Sequence, residues 1–274
     1  MVHPVLSSLH LHPVKSLAAL AVDGAVVEPW GLAGDRRWML VDGAGTAVTQ
    51  RQEPRLAGIS ARPLPDGGVE LAAPGRPPLE VAVPKRADTV VVELFGTRLE
   101  VVEAAPAARA WLSGFLGTEV RLVHQDEPSF RRPLNPKYAR PGETVSLADG
   151  YPLLLTTVAS LDALNALIAN GDHPHEGPLP MNRFRPNAVV DGTGAWEEDG
   201  WRRVAIGPVA FRVAKPCRRC AITTIDQSTA RRGREPLRTL ALHRRTGTKL
   251  LFGMHLVPEG TGAVRVGDPV RVLE

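Results

Sequence analysis

Glycine and proline constrain this chain more than any other residue types. The 26 glycines and 25 prolines spread along 274 residues leave few stretches long enough for an extended helix, because proline removes a backbone donor and glycine weakens element interiors. Pro63, Pro65, Pro74, Pro77, Pro78 and Pro84 share one segment with Gly67, Gly68 and Gly75, which predicts loops and edge strands there. Around that segment the apolar runs are short. Residues 6–14 partly alternate, 37–41 are apolar before the turn Asp42-Gly43-Ala44-Gly45, and 89–94 are set to pair with 98–102 across Phe95-Gly96-Thr97. Short strands at this spacing predict a barrel or sandwich.

Three helices stand out. Residues 106–116 open on Pro106, place Trp111, Leu112, Phe115 and Leu116 on one side and stop at Gly117. Residues 157–170 carry Leu161, Leu164, Leu167 and Ile168 at helical spacing. A third begins at Glu235-Pro236-Leu237 and is expected to end near Gly247. Strands resume at Val120-Arg121-Leu122-Val123, so a boundary is expected between two blocks, residues 1–120 and 121–274.

The 43% hydrophobic and 23% charged content is that of a soluble globular protein. The start, Met1-Val2-His3-Pro4-Val5, has no basic residue, and no apolar run reaches the length of a membrane span. A cytoplasmic protein with no membrane association is expected. Lysine plus arginine outnumber aspartate plus glutamate 33 to 29, but no basic block is interleaved with aromatic residues, so nucleic-acid binding is not expected.

Both cysteines lie in Lys215-Pro216-Cys217-Arg218-Arg219-Cys220. The thiolate is the reactive form and the soft-metal ligand, and Lys215, Arg218 and Arg219 favour it. A lone C-x-x-C leaves several readings open. Half a structural zinc site would need further ligands, with isolated His243 and His255 as candidates. A redox pair would be expected to open a helix, whereas Ala221-Ile222-Thr223-Thr224-Ile225 reads as a strand. Elsewhere Pro13-Val14-Lys15-Ser16, Gly34-Asp35-Arg36-Arg37 and Asn182-Arg183-Phe184-Arg185-Pro186-Asn187 combine cations, amides and a hydroxyl. Together they suit a phosphate-bearing ligand, because guanidinium forks and short hydroxyls bind phosphate oxygens.

These motifs, in this order, resemble the MOSC-domain proteins. They are His12-Pro13-Val14-Lys15-Ser16, Gly34-Asp35-Arg36-Arg37-Trp38, Thr49-Gln50-Arg51-Gln52-Glu53-Pro54-Arg55-Leu56, the Asn182–Asn187 run, Cys217 to Asp226, and Glu235-Pro236-Leu237. The similarity runs from Pro13 to Leu273 and is greatest to the subgroup that includes the amidoxime-reducing components. The resemblance implies an α+β fold that is mainly β: an N-terminal β-barrel-like domain, then a MOSC β-barrel domain with a few peripheral helices. It also implies a molybdenum cofactor, Mo-molybdopterin, ligated through Cys220, with Cys217 a neighbour. Cofactor contacts carry over to Lys15, Ser16, Arg36, Asp149, Arg185, Asn187, Arg219 and Cys220, in a cleft between the two blocks. Asp149 and Cys220 are the implied catalytic residues. Gly150 and Tyr151 depart from the hydroxyl-bearing type of the family. The general acid is left open between Asp149 and Asp226, either of which also suits a turn cap.

The implied activity is reduction of small N-hydroxylated or N-oxide compounds by oxygen removal at the metal. Two cysteines are too few for an iron–sulfur cluster of the chain's own, so electrons are expected from a separate ferredoxin, flavoprotein or cytochrome. The rival reading is a carrier of the cofactor, or of sulfur on a cysteine. Absence of an attached pyridoxal-phosphate domain weakens its sulfurase version.

Overall fold

The computed structural model describes residues 3–85, 89–126 and 132–274. Met1 and Val2, part of the uncharged start noted above, lie outside the described residues. The architecture is α+β and mainly strands, and the chain does not divide its sheets cleanly at its midpoint. The strand Val5–Leu11 pairs antiparallel with Ala188–Asp191, which lies parallel beside Leu153–Thr157. Those strands continue through Lys249–Pro258, Val209–Arg218 and Arg203–Ile206 to Val270–Val272. Arg121–His124, beyond the expected boundary, pairs instead with Trp38–Val41 and Thr97–Glu103 of the first half. Each half therefore holds a strand from the other side of residue 120.

The apolar alternation in each strand explains its place. Leu6, Leu9 and Leu11 are buried with Leu155, Val190, Phe211 and Leu256 in the core of the large sheet. A register shift between Leu6 and Ser8 keeps Leu6 and Leu9 both inward. A second core gathers Trp38, Leu40, Leu56, Ile59, Trp111 and Leu112. The proline-rich segment forms the edge sheet of Ser60–Pro63, Val69–Ala73 and Arg76–Val81. The carbonyl of Pro77 in that sheet accepts Trp111 Nε1–H at 2.8 Å.

The strand ladders run as open paths rather than as the closed barrels expected. The two ends of the large sheet approach at a single bridge, Val5 to Pro269, supported by Leu6 N donating to Asp268 O and Val270 N to Pro4 O. Gly267 N also donates to Leu6 O at 2.8 Å.

The first two helices form where the pattern placed them. Helix α1, Pro106–Leu116, ends on Gly117 at φ 66. Helix α2, Val158–Ala169, is capped by the Thr157 side chain accepting from Ser160 N. Helix α3 spans only Leu237–His243, because Arg245–Thr246 pairs back onto Lys249 and Leu250. The exit from Cys220 is not a strand. Ala221–Thr224 forms a 3-10 turn, in which the hydroxyls of Thr223 and Thr224 donate to the carbonyls of Cys220 and Ala221. Such local side-chain bonds compete with a strand ladder.

Candidate active site

The loop after the first strand is fastened to the Gly34-Asp35-Arg36 turn. His12 N donates to Asp35 Oδ1 at 2.7 Å, Arg36 N donates to His12 O at 2.8 Å, and Lys15 N to Trp38 O at 2.8 Å. Asn187, entering the strand Ala188–Asp191, joins this loop to the second half. Its Oδ1 accepts from Arg36 Nη1 at 3.1 Å and from Leu154 N at 3.2 Å, while its Nδ2 donates to His10 O at 3.2 Å. Ser16, Arg36 and Arg185 all hold positive φ, at 67, 50 and 53. That backbone region is disfavoured for residues with a Cβ and clusters at functional sites.

These elements enclose a cavity of about 130 Å³. Its walls include every expected site residue: Lys15, Ser16, Arg36, Asp149, Arg185, Asn187, Arg219 and Cys220. They also include Cys217, Tyr151 and His255. Asp226 is elsewhere. Its Oδ1 accepts from Ser228 Oγ at 2.6 Å and from the Ser228 and Thr229 amides, and its Oδ2 from Arg183. The Ser228 hydroxyl first, then these amides, hold its carboxyl well below the usual carboxylate range. Asp226 is thus a turn cap.

The walls carry more positive charge than they can pair. Burial, then Arg36, lowers Arg185 to about 9, and burial lowers Arg132 to about 10. Burial brings Lys15 to about 8, against the pull of Asp149. Desolvation acts to raise Asp149, but ion pairs with Lys15 and with Arg51, the latter at 2.9 Å, outweigh it and hold the carboxyl far below its ordinary range. Arg185 Nη2 and Arg219 Nε are buried without hydrogen-bond partners. Unpaired buried guanidinium N–H groups are costly in an empty site and favourable toward an anion.

The two cysteines differ. Cys217 is buried, and its Sγ accepts from Arg219 Nη1 at 2.9 Å. Burial acts to raise this thiol, but Arg219 and His255 prevail and bring it to about 6. Cys220 is half-buried, and its Sγ accepts from Arg51 Nη2 at 3.3 Å. Both thiols face the same cavity, so Cys217 is a wall of the site as well as a sequence neighbour. In the Cys220→Ala protein the remaining thiol should ionise near pH 6, measured by thiolate ultraviolet absorbance, and Arg219→Gln should raise that midpoint. Because the folded-state value lies below the ordinary thiol value of 9.0, this ionisation contributes stability that is full above about pH 9 and is lost as pH falls through about 6.

Sequence reasoning missed three contributors. Arg51 sits in a quoted motif, yet nothing local marks it as the residue that bridges Asp149 and Cys220. Arg132 holds the Asp149 loop by donating to the carbonyls of Ser146, Ala148 and Asp149. His255 stacks on Tyr151 at 4.6 Å between ring centroids, so Tyr151 contributes a ring to this wall. Among the described residues, the group whose metal-ligand atoms all lie within 4.8 Å of one another is His173, His175 and Glu176. The C-x-x-C does not form such a group, and His243 is exposed on α3, which argues against a zinc site there.

Comparison with known proteins gives the family. Residues 3–119 match the family described as MOSC N-terminal beta barrel domain, and residues 142–271 match the MOSC domain. The chain is 32% identical to mitochondrial amidoxime-reducing component 1 of Homo sapiens, over 98% of this chain and 82% of that protein. It is also 32% identical to mitochondrial amidoxime reducing component 2 of Rattus norvegicus, over 97% and 82%. Molybdenum cofactor sulfurase of Bos taurus is 32% identical over 92% of this chain but only 30% of its own length. With two matched domains in series and full-length relatives at this identity, the chain belongs to the MOSC-domain family, in the form that carries an N-terminal MOSC β-barrel domain.

Proposed function

We propose that this protein holds a molybdenum cofactor in the cavity between its two halves and reduces small N-hydroxylated or N-oxide compounds by removing their oxygen. The observation that carries this reading is the site's unmet demand for negative charge beside two thiols: Arg185 Nη2 and Arg219 Nε are buried and unpartnered in a wall that also presents Cys217 and Cys220. A phosphate-bearing dithiolene and a soft metal suit that donor set. The names of the relatives support the same chemistry.

When bound, the cofactor would supply two-electron redox chemistry at its metal. The chain's residues do the rest. Lys15, Ser16, Arg36, Arg185, Asn187 and Arg219 would bind and orient its anionic part, and Cys220 would offer its thiolate to the metal. Asp149, kept ionised by Lys15 and Arg51, positions those cations and does not itself donate a proton at neutral pH. Lys15 Nζ, brought to about 8 by burial, and the Cys217 thiol, brought to about 6 by Arg219 and His255 against burial, are wall groups matched to moving a proton near neutrality. Electrons come from a separate donor protein, a ferredoxin, flavoprotein or cytochrome. Among the described residues no helix is long and apolar enough to cross a membrane.

The test is elemental analysis of the purified protein, followed by benzamidoxime reduction with an artificial reductant. About one molybdenum per chain with turnover is the expected result. Full loading without turnover favours the carrier reading, and zinc without molybdenum overturns both. His173→Ala in parallel separates zinc at His173, His175 and Glu176 from zinc at the cysteines.

A further inference from the structure

The hairpin of Thr89–Leu94 and Thr97–Glu103 turns through two residues, Phe95 and Gly96. Both have positive φ, 52 and 77. A two-residue turn of that kind favours asparagine followed by glycine, and a bulky residue at its first position is strained. Phe95 is also 55% exposed. Neither turn preference nor burial accounts for a phenylalanine there, and a strained outlier of this sort points toward function.

Its surroundings say which function. The Phe95 ring centroid lies 5.1 Å from Lys15 Nζ and 5.4 Å from Arg51 Cζ. These are the two cations that hold Asp149, and Arg51 also reaches Cys220 Sγ. The exposed ring is therefore set at the thiol side of the cavity by cation–π contacts. The hairpin is held from behind as well: Glu93 N donates to Gly45 O at 2.8 Å and Ala47 N to Glu93 O at 3.2 Å. Gly45 lies close against the hairpin, since a Cβ on it would come within 3.1 Å of Val91 O.

We infer that Phe95 is an aryl-binding subsite: its exposed face receives the planar aromatic group of a substrate whose N-hydroxylated end enters the cavity. This rests on the reductase reading for the identity of the substrate, but the subsite itself is tested separately. Phe95 is not itself a wall of the cavity but contacts Lys15, which is, and its exposed ring can meet an aryl group in the offset or edge-on contact that aromatic rings favour.

The experiment uses the full, metal-loaded chain and an artificial reductant, so that docking of a donor protein plays no part. Wild type, Phe95→Asn and Phe95→Tyr are compared on benzamidoxime and acetamidoxime. The preference for benzamidoxime in kcat/KM should fall roughly tenfold in Phe95→Asn, mostly through KM, and persist in Phe95→Tyr. Binding of benzamidine, an unreactive planar amidine, should weaken in Phe95→Asn by a similar factor in calorimetry. The Tm of Phe95→Asn should not fall, because Asn-Gly suits the turn. An unchanged substrate preference, equal losses on both substrates, no benzamidine binding to wild type, or a Tm lower by several degrees would each overturn the inference. If wild type reduces neither substrate yet binds benzamidine through Phe95, the reductase reading fails and the subsite stands.

Discussion

Cys220→Ala should lose molybdenum and, with it, more than about a hundredfold of benzamidoxime reduction, whereas Cys217→Ala should keep the metal and stay within about tenfold of wild type. The structure makes this a sharper test than the motif alone. Arg219 and His255 draw Cys217 toward the thiolate, and its position beside those groups would make it the ligand on that ground alone. Cys220 is the more open of the two and is met by Arg51 at the entrance, where a bound group can reach it without displacing Arg219. The check is the molybdenum-to-protein ratio after gel filtration, alongside activity. Metal retained by Cys220→Ala and lost by Cys217→Ala would transfer the ligand role to the buried thiolate.

Arg185→Gln should move stability and cofactor retention in opposite directions. Without a bound anion the Arg185 guanidinium is desolvated, feels Arg36 and Arg219 against the opposite charges of Asp149 and Asp35, and leaves Nη2 without a partner. Removing that charge should stabilise the cofactor-free protein by about 1 kcal/mol, a rise of roughly 2–4 °C in Tm for a chain of this size. The same change deletes the unpartnered Nη2 donor of a cavity-lining residue, and cofactor retention should fall about ten- to hundredfold. Thermal unfolding of the cofactor-free protein and pterin content of the loaded one give the two readings. A large loss of stability in the empty protein would show that Arg185 serves the fold and not a ligand.

The parts of the site that were legible in sequence share a property: each is a short run in which several binding residue types stand together. Lys15 and Ser16 adjoin the end of a strand, Arg36 follows a glycine turn, Arg185 and Asn187 flank a proline, and Arg219 and Cys220 are adjacent. Arg132 and His255 have no such company, and Arg51 has it in the run of residues 49–56 without any local sign of its partners. Arg51 acts on Asp149 and Cys220 from 98 and 169 positions away, and Arg132 acts on backbone carbonyls, which carry no side-chain signature. The strand expected after Cys220 failed for a related reason: the threonine hydroxyls find partners in their own turn, which composition does not show.

By itself the sequence determined where α1 and α2 form and the short strands around the glycine- and proline-rich turns, but not the end of α3 or the turn after Cys220. It also determined the chemistry on offer, two thiols and an excess of arginine in short motifs. The tertiary structure alone decided which charges go unpaired, which thiol is buried against Arg219 and His255, and that a hairpin tip from the first half stands over the cations of the site. Those outcomes depend on desolvation and on distances of a few ångströms between residues far apart in the chain, and both exist only once the two halves are packed together.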